Sequence, residues 1–211
     1  MEGNRDMNNK TLDYYDENAD AFFEGTVSVD FKSTQDRFLK ALNGKKILDF
    51  GCGSGRDTKY FLDLGYQVTA IDGSKKLCEM ASEYTGIQVK QMLFQDLDEE
   101  NTYDGIWACS SILHLSKEEL KPVLLKMIKA ITNNGIIYTS FKYGDFEGDR
   151  NGRYFTNFTL ESFKNYIENI NLIKIDEYWI STDVRPGREE EKWLNLILRK
   201  TNSQSNTKIL F

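Results

Sequence analysis

The run Lys46-Ile47-Leu48-Asp49-Phe50 followed by Gly51-Cys52-Gly53-Ser54-Gly55 constrains this chain more than any other segment. A short apolar stretch carrying an acid reads as a buried strand. Three alternate glycines after it let the backbone turn sharply and approach a ligand closely. A helix with Tyr60, Phe61 and Leu64 then runs to Gly65. Strand, glycine turn and helix in this order open a βαβ unit, and parallel strands need such a crossover.

The alternation continues. Gln67–Asp72 is a second strand, and Ser74 caps a helix with Leu77, Ala81 and Tyr84 on one face. Ile87–Phe94 reads as a third strand and Tyr103–Ser110 as a fourth. Ser116 and Glu119 form a capping box for a helix with Leu120, Val123, Leu124 and Met127 inward. Pro122 implies a later start or a kink there. Asn133-Asn134-Gly135 is a turn before a fifth strand, Ile136–Phe141. Residues 143–157, with three glycines and mixed charge, break the pattern and read as a long loop. A helix over Thr159–Ile170 and strands over Leu172–Ile180 and Lys192–Arg199 follow, the last two joined at Arg185-Pro186-Gly187. Upstream, Leu12, Tyr15, Ala19, Phe22 and Phe23 have helical spacing, and a second helix covers Ser33–Leu42. Strands and helices in this succession predict a mainly parallel sheet covered on both faces.

Composition narrows the function. With 211 residues, the length favours one domain with a modest cap. Lys and Arg number 27 against 33 Asp and Glu, a net charge of −6, which argues against a surface built to neutralise nucleic-acid phosphates. The three cysteines form no C-x-x-C pair, so neither a disulfide framework nor a thiolate metal site is expected. One histidine excludes any two-His metal site. The polar start carries no signal-peptide core and no run approaches a membrane span, so a cytoplasmic protein that does not engage membranes is expected.

The glycine turn lies at the carboxyl edge of the sheet, where open α/β folds bind small molecules. Arg56 stands where a dinucleotide fingerprint would place its third glycine, and no phosphate-loop Gly-Lys-Ser/Thr occurs. Asp72 ends the second strand and suits ribose hydroxyls. An acid before the glycines, with no phosphate anchor, suits a cationic ligand carrying an adenosine.

At ILDFGCGSG, VTAID, FQDL and YDGIWACSSILHL, roughly Lys45 to Phe141, the chain resembles the class I S-adenosylmethionine-dependent methyltransferases. Its look is closest to the small-molecule and tellurite-resistance-type members. The resemblance implies a Rossmann-like, doubly wound sheet of seven mostly parallel strands, the last antiparallel, with an N-terminal helical cap. It also implies S-adenosyl-L-methionine as cofactor and a small-molecule acceptor; nothing in the sequence demands a partner, so a monomer or weak homodimer is expected. By the same resemblance, the backbone at Asp49, Gly51 and Gly53 holds the methionine part, and Asp72 the ribose, with Gly73 and Ser74 beside the adenine. Asp96 takes the adenine amino group and the Leu97 backbone sits against the ring. Ala108 and Cys109 face the methionine amino group and the transferring methyl. The layout is a cap over 1–44, a methyltransferase domain over 45–200 and a flexible tail over 201–211.

His114, at the same sheet edge, has the one side chain titrating near neutrality and is the candidate general base; the competing reading is a histidine that packs at the start of the next helix. Arg150, Arg153, Tyr154 and Trp193 suit a pocket for a planar or anionic acceptor, or else the arginines pair with Asp145, Glu147 or Asp149 on a solvated loop. Tyr14, Tyr15, Phe22 and Phe23 form either a lid or a staple for the N-terminal helix. Charge is uneven: residues 1–110 hold 20 acids and 12 bases, residues 111–211 hold 13 and 15. The acid gathers in the half expected to hold a cationic cofactor. The rival functions are an RNA methyltransferase and a cofactor-binding module without turnover.

Overall fold

In the computed structural model, residues 2–185 and 187–201 are described. Pro186 and most of the expected tail, 202–211, lie outside them. The first strand, β1 (Lys46–Phe50), pairs in parallel with β2 (Gln67–Asp72) on one side and β4 (Tyr103–Ala108) on the other. With β3 (Lys90–Gln91), β5 (Ile131–Lys142), β8 (Ile173–Thr182) and β9 (Lys192–Lys200) they make a seven-stranded sheet of order β3-β2-β1-β4-β5-β9-β8. β9 is antiparallel to both its neighbours, so the last strand alone runs against the rest.

Alternation along each strand sends neighbouring side chains to opposite faces. From β1, Leu48 and Phe50 join a core with Leu120, Val123 and Met127 of α6 (Lys117–Ala130) and with Phe163 of α7 (Leu160–Ile167). Ile47 faces the other way, toward Phe61 of α4 (Arg56–Asp63) and Phe38 of α3 (Lys32–Ala41). Trp107 is fully buried on that face, stacked on Tyr138 with centroids 4.1 Å apart. A Cβ at Gly105 would lie 2.7 Å from Phe38 Cζ, so glycine there lets α3 press directly onto β4. α5 (Lys75–Thr85) closes this face, and its N-terminus is capped by Ser74, which accepts from Leu77 N.

Several boundaries differ from expectation. The N-terminal helix starts earlier and divides at Asn18 into α1 (Glu2–Glu17) and α2 (Ala19–Thr26). The third strand shrinks to two residues, because Phe94–Asp96 coils into a 3-10 turn. α6 begins at Lys117 with its capping box formed, so Pro122 does not delay its start. β5 extends back through Asn133–Gly135 as a bulge against β4, with Asn134 at φ 63°. The expected loop at 143–157 holds a hairpin, β6 (Glu147–Arg150) with β7 (Arg153–Thr156). This hairpin packs against α1, where Tyr154 N donates to Thr11 Oγ1. Helix and hairpin together cover the carboxyl edge of the sheet.

Candidate active site

Two adjoining cavities open at that edge. The smaller, about 90 Å³, lies between the glycine loop and the end of β2. Gly51, Gly53, Asp72 and Gly73 line it, facing an apolar wall that includes Leu77, Met92 and Phe94. Gly51 has φ +87°, and a Cβ there would fall 2.5 Å from the Ser111 Cβ, so both its backbone and its surroundings require glycine. Asp72 braces the loop: its two carboxylate oxygens accept from Gly53 N and Ser74 N, each at 2.9 Å. Each oxygen keeps further acceptor capacity toward the cavity. Burial pushes the Asp72 carboxyl above its ordinary range, against those amide donors.

The larger cavity, about 150 Å³, extends toward β9 and the β8–β9 connection. It is rich in cations: Arg56, Lys142, Arg153, Arg185 and Arg188 against Asp57 and Asp183 among its lining charges. Tyr15, Phe22, Gly53, Ser110 and His114 belong to both cavities and mark where they meet.

His114 is held at both ring nitrogens. Nδ1 lies 2.6 Å from the Tyr154 carbonyl, which can only accept, so Nδ1 carries the proton. Nε2 therefore accepts from the Tyr15 hydroxyl at 2.8 Å. Burial, with the charges of Arg153 and Lys142, lowers the imidazole pKa to about 4 despite the Tyr154 carbonyl, so the ring is neutral at pH 7. Beside it, the Arg153 guanidinium lies over the rings of Tyr14, Phe155 and Tyr15, at 4.4, 5.2 and 5.8 Å. Its Nη1 reaches the Tyr15 hydroxyl at 3.5 Å, while its Nε is buried without a partner.

Of the residues expected for the cofactor, Gly51, Gly53, Asp72 and Gly73 meet at the small cavity and Cys109 lines the large one. Others stand elsewhere. Asp49 lines neither: its carboxyl is buried behind the loop, accepting from Thr58 Oγ1 at 2.6 Å. Burial and the neighbouring Asp57 charge hold it well above the usual carboxylate range. Ser74 spends its hydroxyl on Asp16 and the cap of α5. Leu97 and Ala108 are buried in the core. Asp96 is exposed, because the 3-10 turn aims Phe94 and Gln95 into the cavity and turns the next residue out.

Of the acceptor residues, Arg153 and Trp193 line the large cavity. Tyr154 contributes its backbone only, since strand alternation turns its ring away from Arg153 and Phe155, toward Glu147. Arg150 is exposed and lies over Phe146 at 4.2 Å. The expected pairing of either arginine with Asp145, Glu147 or Asp149 is not formed among the described residues; Glu147 pairs with Lys117 instead. The pair sequence reasoning missed was Arg56–Asp57, where Asp57 also accepts from Gln35 Nε2 and Trp107 Nε1. An adjacent Arg-Asp at a helix start was its visible signal. Among the described residues no cluster of acids, Cys and His is arranged to hold a metal ion, and no helix is long and apolar enough to cross a membrane.

Comparison with known proteins bears on the glycine-loop half of the sheet. A methyltransferase-domain model matches residues 47–135, the stretch that carries the glycine loop, Asp72 and the 3-10 turn. Over those residues the chain carries a methyltransferase domain, and it is similar to the class I S-adenosylmethionine-dependent methyltransferases. An uncharacterised methyltransferase of Staphylococcus carnosus is 28% identical over 71% of this chain and 77% of that protein. The probable S-adenosylmethionine-dependent methyltransferase TehB of Haemophilus influenzae is also 28% identical, over 59% of this chain; the match spans about half of that longer relative, 45%. The 1,6-didemethyltoxoflavin-N1-methyltransferase of Burkholderia thailandensis, solved with S-adenosylhomocysteine, shares the fold at a TM-score of 0.71 and 19% identity, covering 90% of this chain and 85% of its own.

S-adenosylmethionine is thus the cofactor, and the small cavity suits its nucleoside. An acid at the end of β2 sits beside an apolar slot, and two glycines with positive φ keep the loop free of side chains. When bound, this cofactor supplies an electrophilic methyl on a sulfonium. In this methyltransferase, Asp72 would hold the ribose, the Phe94–Gln95 segment the adenine, and the Gly51–Gly53 backbone the methionine chain.

Proposed function

We propose that this methyltransferase acts on a small-molecule acceptor, which occupies the large cavity with its nucleophile beside Tyr15 and His114. The observation that carries the reading is the meeting of the two cavities at those residues, inside a pocket roofed by the chain's own α1, α2 and β6–β7 hairpin. Such a roof suits a compact acceptor and shields the reaction from water. The similar methyltransferase solved with 1,6-didemethyltoxoflavin, a small molecule, supports the same reading.

The chain's contribution is chiefly alignment. Bringing donor and acceptor into line removes the entropic part of the barrier, an effect of up to about 7–11 kcal/mol in well-oriented intramolecular cases. His114 serves as base only through Tyr15: the acceptor's proton passes to the phenol oxygen as the phenol proton passes to Nε2. The neutral imidazole is ready for that exchange, but its low basicity suits an acceptor that arrives already ionised, which needs no base.

Calorimetry with S-adenosylmethionine, followed by assay of S-adenosylhomocysteine release with thiols, amines, carboxylates, phenols and RNA, tests the reading. Cofactor binding with turnover of one of these classes is expected. Cofactor binding with turnover of RNA alone would favour the RNA methyltransferase, and binding with no turnover of any acceptor the non-catalytic module. No binding at millimolar cofactor would overturn the assignment.

A further inference from the structure

We infer that Arg153 is an anion anchor, and that the acceptor bound in the large cavity carries a carboxylate or similar oxyanion; this rests on the small-molecule reading above. The argument comes from how the cavity's charges are spent. Arg56 is committed to Asp57, Arg185 to Asp183 and Lys142 to Glu191. Trp193 also gives its indole N–H to Asp183. These three cations are neutralised within the protein and shape the wall, and Arg188, which has no ion pair among the described residues, is exposed to solvent. Arg153 has no carboxylate within ion-pairing distance among the described residues, and its Nε is buried with no hydrogen-bond partner.

An unmatched guanidinium in such a place is costly. A buried donor left unpaired forfeits about 1–3 kcal/mol, and more when it is charged. The three rings around it compensate only in part, through their electron-rich faces. What the arrangement lacks is an acceptor with negative charge. The two Nη nitrogens of one guanidinium form a fork that matches two oxygens of one anionic group. The rings of Phe155 and Trp193, which line the same cavity, supply a flat apolar surface for the rest of the molecule. Position adds specificity: Arg153 also touches Tyr15, so an anion on it lies next to the junction with the cofactor cavity.

Matched probes separate charge from shape. Benzoate, benzamide and phenyl phosphate are titrated by calorimetry into the protein, with and without S-adenosylhomocysteine, and into Arg153→Gln and Arg153→Lys. We expect one of the anions to bind at least about tenfold more tightly than benzamide, the difference one charge-assisted hydrogen bond makes. Arg153→Gln is expected to bring the anions within about twofold of benzamide, and Arg153→Lys to retain part of the preference, while the S-adenosylhomocysteine affinity of both variants stays within about threefold of wild type. Benzoate and phenyl phosphate each binding no better than benzamide to the wild type, or an anion preference that survives in Arg153→Gln, would overturn the proposal. So would a large loss of S-adenosylhomocysteine affinity in Arg153→Gln, which would move the arginine to the cofactor. If Arg153→Gln does not fold, the wild-type comparison and Arg153→Lys still decide. Failure of the wild type to bind S-adenosylhomocysteine would instead count against the methyltransferase reading, with the anion preference still measurable on the free protein.

Discussion

The Tyr15 hydroxyl donates to Nε2 of His114 across 2.8 Å, joining residues 99 positions apart in the chain. One end of this bond stands on α1, and the other follows β4 at the carboxyl edge of the sheet. It clasps the N-terminal helix to the place where the two cavities meet.

Tyr15→Phe removes that clasp and leaves Nε2 of a buried imidazole without its donor. A loss of about 1–3 kcal/mol is expected, read as a fall of several degrees in Tm. With an acceptor that is protonated at the assay pH, kcat should drop at least tenfold, of the order removal of a proton-transfer group produces. An unchanged kcat would remove the phenol from the reaction and leave it a structural role.

The low pKa of His114 sets a sign. Its folded value of about 4 lies below the ordinary 6.5, so the fold favours the neutral ring. The stability this contributes is fully present above pH 6.5 and is lost as pH falls through about 4. His114→Gln should therefore lose less Tm than wild type between pH 7 and pH 4.5. In the wild type, kcat/KM should run level through pH 6.5. An inflection there would show a histidine that titrates freely in the enzyme.

Asp72 has two duties that one substitution exposes together. Asp72→Ala strands the amides of Gly53 and Ser74, so S-adenosylhomocysteine affinity should fall at least tenfold and stability by about 1–3 kcal/mol. Calorimetry and thermal melting check the two effects independently. A loss of affinity with no loss of Tm would limit Asp72 to ligand contact.

Gly51→Ala places a methyl against Ser111 in a backbone region that alanine avoids. Cofactor binding should be abolished, and Tm lowered. Gly65→Ala, also at positive φ but with nothing within 4 Å of the new Cβ, should keep full cofactor affinity. Equal affinity in the two variants would contradict the close-approach argument.

The fold was legible wherever burial imposes a period. β1, β2 and β4 are covered on both faces and stand out as apolar runs, and the caps at Ser74 and Ser116 mark where α5 and α6 begin. The β6–β7 hairpin was not legible, since Gly148, Gly152 and its charged residues are the signature of a loop; its pairing is stabilised by packing on α1. The site divides the same way. Gly51 and Asp72 follow from their places at strand ends, but Asp96 depended on the phase of a 3-10 turn and Tyr154 on which side of a two-stranded ribbon faces inward. A shift of one residue reverses either answer. The Tyr15–His114 contact depends on tertiary packing that local pattern does not record.

Tyr15 and Phe22 are walls of both cavities at once. The two chambers therefore share a partition on α1 and α2 that cannot swing away from one without unroofing the other. With the acceptor placed as proposed, both products would pass the same two side chains on leaving, so loosening this short N-terminal segment would open both chambers together.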